Sequence, residues 1–148
     1  VSMLAEESFD MMICGDVLEH LLDPLTTLRL LTEGLKPEGT LIISVPNVAH
    51  VWVRLNLMFG RFEYTTQGIL DRTHTRFFTR RSLIKLVTDA GLDIQDVRTT
   101  PVPIEEIFTI TQPSRVLFCL QPIGALLSRL LPRLLAYQFV IRAKPRVT

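Results

Sequence analysis

FDMMICGDVLEHLLDPLTTLRLLTEGLKPEGTLIISVPN, residues 9–47, decides the fold class. Its opening run, Phe9 to Cys14, is mostly apolar and is closed by Gly15, which predicts a short strand buried on both faces. Asp23-Pro24 reads as a helix start, because Asp can cap the first turn and Pro needs no N–H partner there. Leu25, Leu28, Leu31 and Leu35 then recur at helical spacing, and KPEG (36–39) is expected to end the element. TLIISV (40–45) is rich in β-branched residues and is halted by Pro46-Asn47, so it predicts a second buried strand. Strand, helix and strand on short connections form a βαβ unit, which makes the two strands parallel and the class α/β.

Working outward, residues 47–79 are irregular, with a short helix expected over Val51 to Met58 and a loop holding Gly60, Gly68 and DRTHTRFF (71–78). Thr79 then caps a helix with Leu83, Ile84, Leu86 and Val87 on one side and Gly91 as its stop. LDIQDVRT (92–99) alternates apolar and polar, as a strand with one less buried face does. A Pro-punctuated stretch leads to an amphipathic helix near 123–135, and YQFVIRAK (137–144) predicts a final strand. The leucines near Arg115, Arg129 and Arg133 are expected to pack on the sheet rather than lean on a membrane.

The bulk numbers bound the function. A chain of 148 residues, 47% hydrophobic and 21% charged, has room for one domain with a real core, taken here as 1–148. A net charge of +1 gives no sign of a nucleic-acid partner. Cys14 and Cys119 sit in apolar segments and read as small buried hydrophobes of a reducing cytoplasm, with no zinc spacing. The most apolar stretch, 116–135, is broken by Gln121, Pro122, Arg129, Pro132 and Arg133, so no transmembrane segment is expected. VSMLAEESFD lacks the basic start of a signal peptide.

Residues 9–47, together with GRFEYTTQGILDRTHTRFFTRRSLIKLVTDAGL (60–92), resemble class I S-adenosylmethionine-dependent methyltransferases, in particular the ubiquinone-type and other small-molecule or sugar O-methyltransferases. The combination of DVLEH, LKPEG and DRTHTRFFT carries the resemblance. It implies a Rossmann-like fold represented by its C-terminal half: parallel strands plus an antiparallel last strand, flanked by helices, with 47–79 as a substrate-side lid. It also implies S-adenosyl-L-methionine as cofactor and methyl transfer to a hydroxyl of a small-molecule acceptor. The family's glycine-rich cofactor loop has no counterpart, since no G-x-G occurs in the chain. The chain alone is therefore expected to bind the cofactor poorly, and the strand at 9–14 to have an open edge. A second reading is a non-catalytic interaction module or pseudo-enzyme, in which that edge pairs with a partner or with a second copy as a homodimer.

Candidate site residues follow from position. Ligands of open α/β sheets bind beyond the carboxyl ends of strands, where Gly15, Asp16, Glu19 and His20 fall. The resemblance makes these four the cofactor border. Some ubiquinone-type relatives hold a divalent metal with two acids and a His at i, i+3 and i+4. The matching residues here are Asp16, Glu19 and His20, but Asp16 is shorter than the relatives' acid and no metal is assigned. His74 is the candidate general base, since its side chain ordinarily titrates near neutrality, with structural hydrogen bonding as the alternative. Arg72 and Arg76 are read as acceptor-side contacts. Asn47 either reaches substrate or caps the next helix, and His50 is read as a helix-surface or core histidine.

Overall fold

A computed structural model describes residues 8–103 and 115–146, the first turns of the second long helix, to residue 121, by their backbone alone. The side chains of Arg115 and Cys119 and most of the Pro-punctuated stretch after Thr100 lie outside the described residues.

Strand β1 (Phe9–Gly15) is followed by a 3-10 turn (Leu18–His20) and helix α1 (Pro24–Gly34). Asp23 caps α1 as expected, its carboxylate accepting from the Thr26 N–H at 3.2 Å. Strand β2 (Leu35–Pro46) begins earlier than the expected 40–45, because KPEG is not a helix tail. It is an irregular start to the strand: Phe9 pairs with Leu35 but Met11 with Thr40. A side chain at Gly39 would lie 2.8 Å from the Lys36 carbonyl oxygen and 3.0 Å from that of Phe9, so only glycine lets β1 approach here.

Helix α2 (Val51–Met58) and helix α3 (Arg80–Asp89) fall where the periodicity placed them. Thr79 and Ser82 form a reciprocal capping box at the start of α3, and Gly91 takes the positive φ (85°) that ends it. Strand β3 (Leu92–Thr100), helices α4 (Arg115–Leu130) and α5 (Pro132–Leu135) and strand β4 (Gln138–Pro145) complete the described elements.

The sheet order is β1-β2-β4-β3, with β1 and β2 parallel and β4 antiparallel to both of its neighbours. One face carries the core. Cys14, Leu41, Ile43, Val45, Phe139, Ile141 and Ala143 project from the strands to meet Leu28 of α1 and Leu83 and Val87 of α3. Full burial of such side chains contributes on the order of 1.5–3 kcal/mol each.

Two expectations are corrected. β1 is buried on one face only, with Met12 and Cys14 toward the core and Ile13 73% exposed. The reason is that α1 and α3 pack on one side of the sheet, and no described element covers Met11 and Ile13 on the other. Among the described side chains, Leu126, Leu127, Leu130 and Leu131 do not pack on the sheet either. Ser128 is the buried residue among the described side chains of α4, its Oγ 3.4 Å from that of Thr99 on β3, and Leu126 and Leu130 are exposed. Residues two positions away lie about 200° round a helix, so the sequence that puts Ser128 inward puts these leucines outward.

Two substitutions measure this asymmetry by urea denaturation. Phe139→Ala, in the core, is expected to cost ~3–5 kcal/mol. Ile13→Ala, on the open face, is expected to cost less than about 1 kcal/mol, and a core-sized loss there would contradict the one-sided packing.

Candidate functional site

The carboxyl ends of β1 and β2 meet at Gly15 and Ser44, and the chain turns sharply there. Asp16 adopts a left-handed conformation (φ 51°), which Asp tolerates better than most residues. Its N–H donates to the Ser44 carbonyl at 3.1 Å, and its carboxylate accepts from the Ser44 hydroxyl and the Gln138 amide, each at 3.1 Å. The 3-10 turn that follows drives Leu18 and Glu19 inward, so that Glu19 is 1% exposed.

The segment 47–79 docks on this turn. It opens and closes on a bridge between Asn47 and Phe78, and its descending arm hydrogen-bonds to the main chain after β1. The Glu19 carbonyl accepts from the N–H groups of Thr75 (2.8 Å) and Arg76 (2.9 Å), and the Arg76 guanidinium donates to the Leu22 carbonyl at 2.6 Å. Asp71 holds the bend before it, its carboxylate accepting from the Thr73 N–H and hydroxyl. Those bonds keep its pKa below the usual carboxylate range.

Docking gathers Glu19, His20 and His74, with one donor-capable atom of each within 4.8 Å of the others. His20 Nδ1 lies 3.2 Å from the Thr73 carbonyl oxygen, and His74 Nδ1 lies 3.1 Å from that of Ile69. A carbonyl can only accept, so each Nδ1 carries a hydrogen, and in the neutral form of either ring Nε2 has the free lone pair. The two rings meet edge to face at 4.9 Å. Both carboxylate oxygens of Glu19 are buried with no hydrogen-bond partner among the described residues. Burial, helped by the charge of Asp16 and opposed by the pull of its own main-chain N–H, pushes its pKa from 4.5 up to about 7. The Cys14 thiol, buried beside these acids, is raised to about 11 and is held as a thiol.

The sequence-read residues therefore divide. Glu19, His20 and His74 come together, with Gly15 and Asp16 on the adjoining turn. Arg72 is exposed on the same loop, and Arg76 holds that loop to Leu22. Asn47 is fully buried, its Nδ2 donating to the Ala136 carbonyl and its Oδ1 accepting from the Ala49 N–H. His50 is 7% exposed and caps α2, its Nδ1 accepting from the Trp52 N–H. The Asp16–Glu19–His20 set implied for a metal is not assembled, because Asp16 turns to Ser44 and Gln138. Sequence spacing missed Ser44 and Gln138 as partners of Asp16; the ending of β1 and β2 at one level was the signal available.

Residues 5–97 match the family model of a methyltransferase domain. The chain belongs to the class I S-adenosylmethionine-dependent methyltransferases. It is 30% identical over 122 residues to the ubiquinone biosynthesis O-methyltransferase of Nitrosospira multiformis, covering 78% of this chain and 50% of that protein. The chain spans between a quarter and a half of the length of the curated relatives it matches. In fold it is similar to a methyltransferase of Thermotoga maritima described as a possible histamine N-methyltransferase (TM-score 0.61, 20% identity, 97% of this chain, 59% of that one). It is also similar to the 1,6-didemethyltoxoflavin-N1-methyltransferase of Burkholderia thailandensis, solved with S-adenosylhomocysteine (TM-score 0.55, 18% identity, 99% and 48%). The fold is thus of the α/β class that the βαβ unit implied, and it is the Rossmann-like fold that the resemblance implied.

The buried Glu19 predicts a pH signature in stability. The folded state keeps the Glu19 proton up to about pH 7, while the unfolded chain loses it near 4.5. Stability therefore falls as pH rises through that window and levels off above it. At about 1.4 kcal/mol per pKa unit, the swing is roughly 3 kcal/mol. His50, whose pKa is lowered by burial, works in the opposite direction below its unfolded value of 6.5. The difference in unfolding free energy between wild type and Glu19→Gln, measured from pH 4.5 to 7.5, isolates the Glu19 component; a flat difference would contradict it.

Proposed function

We propose that the chain forms the acceptor side and one cofactor wall of an O-methyltransferase acting on a small-molecule hydroxyl. The observation that carries this reading is the grouping of buried Glu19 with exposed His20 and half-buried His74 at the carboxyl end of β1, brought together by the docked 47–79 segment. The O-methyltransferase activity named for the Nitrosospira relative supports the choice of oxygen as the methylated atom.

S-adenosyl-L-methionine would supply an electrophilic methyl on a sulfonium. The residues present fit one side of its site. Gly15 is exposed and lacks a side chain where β1 ends, so main chain at Gly15 and Asp16 is accessible to a ligand. His20 and the underlying Glu19 continue that border. The missing G-x-G turn is why this wall alone is expected to bind weakly.

On the acceptor side, His74 Nε2 takes the hydroxyl proton as the oxygen attacks the methyl carbon. The products are the methyl ether and S-adenosylhomocysteine, with the proton on the imidazole. Glu19, which titrates near neutrality, lies close enough to balance the imidazolium charge. Proton transfer within these residues suffices for the step. Arg72 is an exposed cation available to an anionic acceptor group, and Arg76 and Asn47 serve the site by holding the loop and the β2 terminus in place.

Titrating S-adenosylhomocysteine into the 148-residue chain by calorimetry is expected to give a dissociation constant weaker than ~100 µM, about −5 kcal/mol or less in magnitude. A low-micromolar value would contradict the one-walled site. In a protein carrying this segment with a glycine-rich loop, His74→Ala is expected to lower kcat for methyl transfer by ~10²–10⁴-fold. Unchanged transfer would contradict the base assignment.

A further inference from the structure

The Glu19 carboxylate is 1% exposed, and neither of its oxygens has a hydrogen-bond partner among the described residues. Buried carboxyl groups are ordinarily partnered or bound to a cation. Here the neighbours are two imidazoles, and one ligand atom from each of Glu19, His20 and His74 lies within 4.8 Å of the other two. Both rings are held as metal-binding histidines are held. Each Nδ1 hydrogen goes to a main-chain carbonyl, that of Thr73 for His20 and that of Ile69 for His74, which leaves Nε2 as the coordinating atom. Thr73 is fixed in turn, because the Asp71 carboxylate accepts from its N–H at 2.8 Å and from its hydroxyl at 2.7 Å. His20 is exposed, so the group is open to an ion from solvent.

The donors differ from those the resemblance implies. In the i, i+3, i+4 set Asp16 supplies a second carboxylate, but that carboxylate is taken by the Ser44 hydroxyl and the Gln138 amide. His74, brought in by the docked 47–79 segment, stands in its place. Exchanging an oxygen for a nitrogen changes which ion fits. Magnesium and calcium take oxygen ligands, whereas two imidazoles and one carboxylate suit zinc, with a fourth position left open. Tetrahedral bonds of about 2 Å set ligand atoms roughly 3.4 Å apart, so side-chain rotations that close the group by about 1 Å complete the site.

We propose that Glu19, His20 and His74 bind one zinc ion, or a divalent cation of the same type, and that the bound ion switches the site off. The lone pair of His74 Nε2 cannot hold an ion and accept the hydroxyl proton at once. The binding site stands on the geometry, while the switching rests on the methyl-transfer reading.

Cobalt(II), a coloured substitute for zinc, tests the site in the chelator-treated 148-residue chain. The expected result is a visible absorption band that saturates at one ion per chain, is bleached by zinc and is indifferent to excess magnesium. The zinc dissociation constant is expected to be tighter than ~100 µM, weakened at least ~10-fold by His74→Ala and left unchanged by Asp16→Asn. In the wild-type chain, zinc is expected to move the Nε2 signals of His20 and His74 in nitrogen NMR and to leave those of His50 in place. That reading decides the matter even if a variant fails to fold. Binding weaker than ~100 µM, displacement by magnesium, or binding lost in Asp16→Asn and kept in His74→Ala would overturn the site. In a protein carrying this segment with a glycine-rich loop, saturating zinc is expected to lower methyl transfer at least ~10-fold, reversibly with chelator. Unchanged or faster transfer would overturn the switch. If His74→Ala leaves transfer unaltered, the base reading and the switch fall together, while cobalt binding by the wild-type chain persists.

Discussion

The functional side of this molecule hangs on one carbonyl group. The Glu19 main-chain oxygen receives two N–H groups from Thr75 and Arg76, more than fifty residues along the chain, and in doing so fixes 47–79 against the turn after β1. That contact covers the Glu19 carboxylate and brings the His74 ring to the His20 ring. Without it, Glu19 would be an ordinary acid on a helix-start turn, and His74 an imidazole on an exposed loop. The carbonyl can act so because the left-handed Asp16 bends the chain away from the sheet, leaving the 3-10 turn one wall for the loop to pair with. Burying an unpartnered carboxyl is costly, and proteins retain such groups where chemistry uses them.

The sheet sets the other constraint. Its two central strands pair antiparallel through Phe139, Ile141, Ile43 and Val45, which are sealed on one face by α1 and α3. The opposite face and the free edge of β1 are left to solvent among the described residues. The relatives are longer than this chain, and an apolar edge strand is a position where additional chain or a partner can add by main-chain pairing. The inverted helix α4 belongs to a different region, beyond β3, and carries a different composition, with arginines among its leucines.

Local chemistry accounts for what could be read from the sequence. Asp23-Pro24, Thr79 with Ser82, and Gly91 act on their own neighbours, so the starts of α1 and α3 and the end of α3 were legible. The βαβ unit and the final strand were legible from periodicity. KPEG misled because a proline and a glycine look like a helix stop, whereas Gly39 serves the close approach of β1 to β2. The burial of β1 on one face was not legible, since an apolar run does not say how many layers cover it. The outward leucines escaped for a related reason: an amphipathic stripe shows that two faces differ, not which one meets the core. Of the candidate site, Glu19 and His20 were legible by position at a strand's end. Their union with His74 was not, because it is made by a backbone contact that leaves no mark on residue type.

The docked loop can be tested directly by native-state amide hydrogen exchange at Thr75 and Arg76. Both side chains are exposed, so solvent access alone would make their amides exchange fast. If the Glu19 carbonyl holds them, they exchange at least ~10²-fold more slowly than unstructured amides, as parts of a cooperative unit with the turn after β1. Exchange at the rate of an open loop would mean that the site is not assembled and would contradict the account at its base.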